Sequence, residues 1–315
     1  GTRHDGVIDM ADPRLETVTT GLRFPEGPVA MPDGSVILTE MFGHRLTRVA
    51  PDGTKTTVAE VDGLPNGLAP GPDGFFYMCN NGGAFTPMEV GGLLYPGEFD
   101  PSRYIGGRIQ RVDISTGTVT DLYTHCGDVP LRAPNDLVFD AHGGFWFTDH
   151  GIRHHRTADR TGIYYAKADG SHIEEVVFPV DSPNGIGLSP AGDRVYWAET
   201  HTGRVFQRAI ESPGKAAPIS PEVPYVLCGL DGYQLFDSLA VDGEGNVCVA
   251  TLVNGGVTVI SPAGDVIDFI ATDDRITTNI CFGGEDFGTA FITVSSTGQL
   301  LRMKWPRKGL RLNHQ

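Results

Sequence analysis

Six polar side chains recur at one register in this chain. Glu26, Asn66, Asn135, Asn184, Asp237 and Asn279 each open a phrase made of a short apolar run and a glycine turn. The phrases are EGPVAMPDG, NGLAPGPDG, NDLVFDAHG, NGIGLSPAG, DSLAVDGEG and NICFGGEDFG. The separation from the polar residue to the turn glycine is 8 in five phrases and 9 in the last. A register repeated this often marks a repeat architecture. If the units surround an axis, residues at the same place in each unit converge there. Carboxylate and amide oxygens gathered in this way form the donor set of a hard cation such as calcium. The competing reading makes the six residues turn formers, because Asn-Gly is a common turn dipeptide. That suits Asn66 and Asn184. It explains Glu26, Asn135 and Asp237 poorly, since glutamate is not a turn former.

The elements around these residues read as short strands. In the first unit EGPVAMPDG is followed by SVILTE (35–40), HRLTRVAPDG (44–53) and TKTTVAEV (54–61). Four strands with glycine turns over roughly 40–45 residues describe a propeller blade. Similar sets follow each of the other leads. The sixth set runs out after three strands, and LETVTTGLRF (15–24) at the other end of the chain supplies the missing one. Closing a ring in this way leaves only short outer edges. The expectation is an all-β, six-bladed β-propeller with four-stranded blades. Residues 1–14 form a loose lead-in and 15–315 a single domain. A two-sheet sandwich would not need six leads in one register. No helix longer than a turn or two is expected; 84–107 and 151–160 are the places for a short one. The insert 84–107 interrupts the second unit and carries Phe85, Met88, Leu93, Leu94, Tyr95, Phe99 and Tyr104, which need burial. Its candidate uses are a lid over the axis, a homo-oligomer contact, or a loop packed on its own blade.

Composition narrows the function. The 315 residues carry a net charge of −15, which argues against a nucleic-acid surface. No apolar run approaches the ~20 residues of a membrane span. Cys79, Cys126, Cys228, Cys248 and Cys281 show no metal-binding spacing and no disulfide framework. The first residues lack the apolar core of a signal peptide, so a cytoplasmic location is expected.

FPEGPVAMPDG, APNDLVFDAHGGFWFTD, SPNGIGLSPAGDRVYWAE and DSLAVDGEGNVCVA together resemble the SMP-30/gluconolactonase/luciferin-regenerating family, whose wider relatives include paraoxonases and diisopropylfluorophosphatases. The resemblance spans about 15–305 and implies a six-bladed propeller with one divalent metal in its central channel. It places Glu26, Asn184 and Asp237 at the metal, and Asn135 at the metal or the substrate. Calcium is the expected ion, with zinc, magnesium and manganese used elsewhere in the family. The implied activity is hydrolysis of a lactone or related ester, a small-molecule partner. Two departures stand out. Sugar-lactone members carry an arginine two places before the Pro-Asn-Asp asparagine, where this chain has Ala133. Arg132 lies one residue earlier, on the opposite face of an extended strand. The glycine after the metal-site aspartate is Ser238 here, behind the bulky run Tyr233-Gln234-Leu235-Phe236. Both point away from a gluconate-like substrate and toward a less polar one.

The expected chemistry is metal-assisted hydrolysis with Asp237 as general base or carboxylate nucleophile, and Asp136, Asp149 or a metal-bound hydroxide as alternatives. Asn135 orients substrate or binds metal. Asn66, Asp136, Asp149, His150 and Asn279 complete the candidate substrate-binding set, with His150 beside Asp149 as a water-activating pair. His154, His155 and His201 follow strands that end near the same mouth. No Gly-x-Ser-x-Gly occurs, which removes a serine esterase. Two other classes remain open. One is a propeller binding module with a structural ion; the other is a non-hydrolytic relative such as an isomerase or a strictosidine-synthase-like condensing enzyme.

Overall fold

A computed structural model describes residues 10–222 and 225–315. Six antiparallel sheets follow one another along the chain and form the blades of a propeller. Their innermost strands are Pro25–Ala30, Pro65–Pro70, Pro134–Phe139, Pro183–Leu188, Leu235–Val241 and Thr277–Gly283. Each is followed outward by its neighbours in sequence. The fourth blade carries a short fifth strand, Lys215–Ala216, on the long strand Arg204–Ser212. The sixth blade takes Glu16–Thr19 as its outer strand, with Glu16 opposite Arg302 and Thr17 opposite Leu301. One terminus therefore completes the sheet begun by the other, which closes the ring.

The core is the set of layers between neighbouring blades. Second strands such as Val36–Glu40 are buried along their whole length, because both faces of each sheet meet another sheet. Alternation then sorts the side chains. Ile37 packs with Leu68, Phe76 and Met78 of blade two, while Val36 and Leu38 pack with Phe291 and Leu300 of blade six. Phe145 and Phe147 face Tyr77 and Cys79 of blade two, and Trp146 faces Trp197 and Phe206 of blade four. Near-continuous apolar runs in the sequence are the consequence.

Three three-residue 3₁₀ turns account for the helix among the described residues. Among those residues no helix is long and apolar enough to cross a membrane. Of the lead-in at 1–14, residues 1–9 lie outside the described residues, and Asp12 N–H donates to Ala271 O of blade five at 2.9 Å. Residues 223 and 224 also lie outside them, and the outer strand of the fourth blade is Val226–Gly229. The insert holds a two-stranded hairpin, Pro87–Val90 with Leu93–Pro96.

Candidate active site

Each inner strand breaks register at its polar lead. Pro65 sits opposite Asn80 and Leu68 opposite Met78, so three steps on the inner strand match two on its partner. The same mismatch occurs between Glu26 and Val29, Pro134 and Leu137, Pro183 and Ile186, and Phe236 and Leu239. A bulge of this kind re-aims a side chain off the pleat. The glycine after the lead permits the approach of neighbouring strands. A Cβ on Gly27, whose φ is +47°, would lie 2.3 Å from the carbonyl oxygen of Asn66. One on Gly185 would lie 2.4 Å from the Leu239 nitrogen. Asn66-Gly67 and Asn184-Gly185 are thus bulges at the axis and not turns. Hydroxyls brace the leads from the preceding blade. Thr39 Oγ1 donates to Asn66 O at 2.7 Å, and Thr148 Oγ1 donates to Asn184 O at 2.6 Å.

Blade six departs from the set. Backbone N–H groups of Asn81, His150 and Thr200 donate to Leu64, Ala133 and Ser182, each two residues before a lead. The matching bond in blade six runs from Ser295 to Ile276, which puts Thr278 in the lead position and Asn279 one place beyond it. Asn279 is therefore corrected from a substrate-lining lead to the equivalent of Asp136. Both fold their Oδ1 back onto the next backbone N–H, at 2.8 Å from Ile280 and 2.9 Å from Leu137. Both line a small chamber of about 260 Å³ at the opposite end of the channel, which the C-terminal residues Leu310–Asn313 cap. Asp136 likewise does not reach the main cavity. Burial and the nearby Glu26 charge hold its carboxyl well above the usual range.

The other five leads converge. Glu26, Asn66, Asn135, Asn184 and Asp237 line one cavity of about 810 Å³. Glu26, Asn66, Asn135 and Asn184 are 2%, 5%, 5% and 4% exposed. Among the described residues the Oδ1 atoms of Asn66, Asn135 and Asn184 are buried with no hydrogen-bond partner. For Asn184 the orientation is set by its Nδ2, which donates to Thr200 Oγ1 at 3.1 Å. An unmatched buried acceptor costs about 1–3 kcal/mol, so three together on one cavity need an external partner. Asp237 lies within hydrogen-bonding reach of Glu26 and Asn184. Burial first, and then the Asp237 charge, pushes the Glu26 carboxyl well up. Burial also raises Asp237, opposed by its hydrogen bond with Glu26.

Asp149 is corrected from a substrate or base role. Its carboxylate accepts backbone N–H groups of Arg132, Ala133 and Gly151 at 2.8, 2.8 and 3.0 Å and shapes the loops behind the cavity. It does not pair with His150, whose Nδ1 meets Gly151 O at 3.2 Å. His150 does line the cavity, as do His154, His155 and His201. Burial lowers His150, and it lowers His201 to about 4 with help from the neighbouring His150. Both imidazoles are neutral at pH 7. Arg132 points away, tied to Asp159 at 3.0 Å.

The upper wall comes from the insert. Ala84, Phe85, Met88, Phe99 and Pro101 line the cavity opposite the polar floor. Leu94 is buried against Phe24, Met41, Phe42 and Leu64, and Phe99 and Tyr104 pack by Ala133 and Ile152. The hairpin thus leaves its own blade and spans the mouth. Thr200, His201, Phe85 and Phe99 are lining residues that the repeat register does not reveal. Thr200 and His150 stand at equivalent positions after their second strands, a pattern visible in WFTDH and YWAET once the blades are aligned.

The sequence pattern of the SMP-30/gluconolactonase/LRE-like family matches residues 24–296. The chain belongs to this family. A lactonase, drp35, of Staphylococcus haemolyticus is 28% identical over 270 residues, covering 84% of this chain and 74% of the relative. A gluconolactonase structure from Xanthomonas campestris superposes with a TM-score of 0.74 at 21% identity, over 93% of this chain and 89% of that one. A structure described as a calcium-binding protein, regucalcin, from Agrobacterium tumefaciens gives 0.69 at 19%, over 93% and 95%. At these identities the two structures share the fold.

Among the described residues no three histidine, cysteine, aspartate or glutamate side chains gather as a metal cluster. What this family member does gather is two carboxylates and three unmatched amide oxygens. An all-oxygen set of that kind fits a hard cation, calcium above zinc.

Proposed function

We propose that this protein is a metal-dependent lactonase that opens a lactone less polar than an aldonolactone. The observation that carries the reading is the meeting of Glu26 and Asp237 with the unmatched oxygens of Asn66, Asn135 and Asn184 on the floor of one large cavity. The name of the staphylococcal relative supports the reaction class, and that of the Agrobacterium structure supports the ion.

Glu26, Asn135, Asn184 and Asp237 hold a divalent cation, and Asn66 joins them or faces the substrate. When bound, such an ion polarises a carbonyl and makes water more acidic. The chain's residues do the rest. Asp237, the least buried lead, accepts the proton of the attacking water. Water oxygen bonds to the carbonyl carbon, the ring C–O bond breaks, and the ring oxygen takes the proton back from Asp237 to leave as the alcohol of a hydroxy acid. At neutral pH the new carboxylic acid ionises and releases one proton to solution. Asn135 keeps the reacting carbonyl against the floor. Phe85, Met88, Phe99, Leu235 and Leu252 give the substituent an apolar wall. The neutral His150 and His201 add no charge to it, and the arginine that would meet a polyol is replaced by Ala133, buried among Ala84 and Ile152.

The test is a proton-release panel of aryl, alkyl and sugar lactones and simple esters, with calcium, zinc, magnesium or manganese. Calcium-supported turnover of apolar lactones, abolished by EDTA, is expected. Silence of the whole panel under every metal overturns the reading in favour of a binding module.

A further inference from the structure

Blade six places no oxygen ligand on the cavity floor, yet it holds the floor's first carboxylate. Asn279 Nδ2 donates to Glu26 Oε2 at 2.8 Å, joining residues at opposite ends of the chain. The amide cannot be turned round without loss, because its Oδ1 accepts the Ile280 N–H at 2.8 Å. The backbone N–H of Gly27 donates to the same Glu26 oxygen at 2.7 Å. Two donors on Oε2 leave Oε1 as the oxygen with no donor from either. The backbone just before Glu26 is gripped by the same blade. Ser295 Oγ donates to Pro25 O at 2.7 Å, and Thr278 Oγ1 does so at 3.3 Å. Thr278 is the residue that stands in the lead position of this blade, and its hydroxyl is spent on the seam and not on the axis.

We infer that Asn279 is a positioning residue that fixes the rotamer of Glu26 and presents Glu26 Oε1 to the cation. This rests on the proposed function above, since it concerns the same site. Outer partners that orient a ligand typically carry about 10–100-fold in metal affinity when removed. The one-place offset of blade six has a physical sense on this view. An asparagine in the lead position would add a fourth amide to the floor. One place further along, it reaches Glu26 from beneath, out of the substrate's way. Ring closure and the site are thereby linked, because the blade completed by the N-terminal strand is the one that holds Glu26.

The experiment is calorimetric titration of calcium chloride into EDTA-treated, dialysed protein, with thermal melts alongside. The proteins are wild type, Asn279→Ala, Asn279→Leu and Ser295→Ala. Asn279→Leu keeps the volume where alanine would leave a gap. Ser295→Ala loosens the seam at Pro25 without touching the Glu26 carboxylate. Both Asn279 variants are expected to weaken calcium binding about 10-fold or more, while Ser295→Ala lowers the melting temperature and stays within a few-fold of wild-type affinity. Wild-type affinity in either folded Asn279 variant overturns the inference. Equal weakening in Ser295→Ala also overturns it, by assigning the effect to the seam as a whole. Absence of calcium binding by wild type defeats the metal reading itself, and is thus distinct from failure of the inference.

Discussion

The backbone N–H of Leu94, in the hairpin inserted into blade two, donates to Ser296 O of blade six at 3.0 Å. That bond reaches over blade one, which lies between blades two and six in the ring. With it, the Leu94 side chain enters a pocket made by Phe24, Met41, Phe42 and Leu64. The insert is therefore pinned to two blades besides its own.

Loosening this pin should act on binding before it acts on the fold. Leu94→Ala removes an anchor whose burial contributes about 2 kcal/mol or more. A hairpin can open locally without unfolding six blades. The expected outcome is a KM raised several-fold for the preferred lactone, with a small change in melting temperature. Steady-state kinetics and a thermal melt check it. An unchanged KM would mean that the hairpin plays no part in holding substrate.

The proposed function makes the apolar wall the determinant of which lactone is opened. Phe85→Ala and Phe99→Ala each remove a ring from the cavity lining. Lost apolar contacts are worth about 1–3 kcal/mol in discrimination, so kcat/KM for an aryl or alkyl lactone should fall roughly 10-fold. The value for gluconolactone should hardly move. Parallel losses on both substrates would contradict an apolar specificity.

The buried carboxyls predict an unusual pH dependence in cation-free protein. Glu26, Asp237 and Asp136 are raised in the folded state, chiefly by burial. Their stabilisation is present below the unfolded carboxylate pKa and is lost as pH rises through the folded values. His150 and His201 are lowered, so they bind fewer protons folded than unfolded. Their contribution runs the other way and is complete above the unfolded histidine value of about 6.5. The buried thiols of Cys79, Cys248 and Cys281, also raised by burial, add their own fall only toward the unfolded thiol value of about 8.5. Between about pH 7 and 8 the histidine contribution is complete and the carboxyl slope remains. In EDTA the melting temperature should fall across that range, and calcium should remove most of the fall. A rise with pH in EDTA would contradict the buried acid pair.

Much of the fold lay open in the sequence, because the repeat period, the glycine turns and the three-stranded last unit are chain-local signals. Five of the six leads meet where the shared register put them. Asn279 does not, and its phrase carried the warning in a separation of 9 against 8. Counted from Thr278 the separation to Gly288 is 10, so the extra residues lie in the turn, and a lead placed one residue off puts the side chain on another face. Asp136 and Asp149 were harder. Each sits next to a cavity residue, and only the bulge and the three N–H donors around Asp149 decide where the carboxylates point. The Val90-Gly91-Gly92-Leu93 hairpin turn was a legible signal in the insert. Its docking on Ser296 was not, since no local pattern encodes a contact with the far end of the chain.

We propose that lactone opening depends on an ion held by Glu26 and Asp237. This dependence is tested most directly by proton release from the best lactone of the panel. The rate should be measured on metal-stripped and calcium-reloaded wild type, Glu26→Gln and Asp237→Asn. Turnover should return on reloading in wild type alone, with both variants folded and at least about 100-fold slower. Full turnover by stripped wild type, or undiminished turnover by Asp237→Asn, would contradict it.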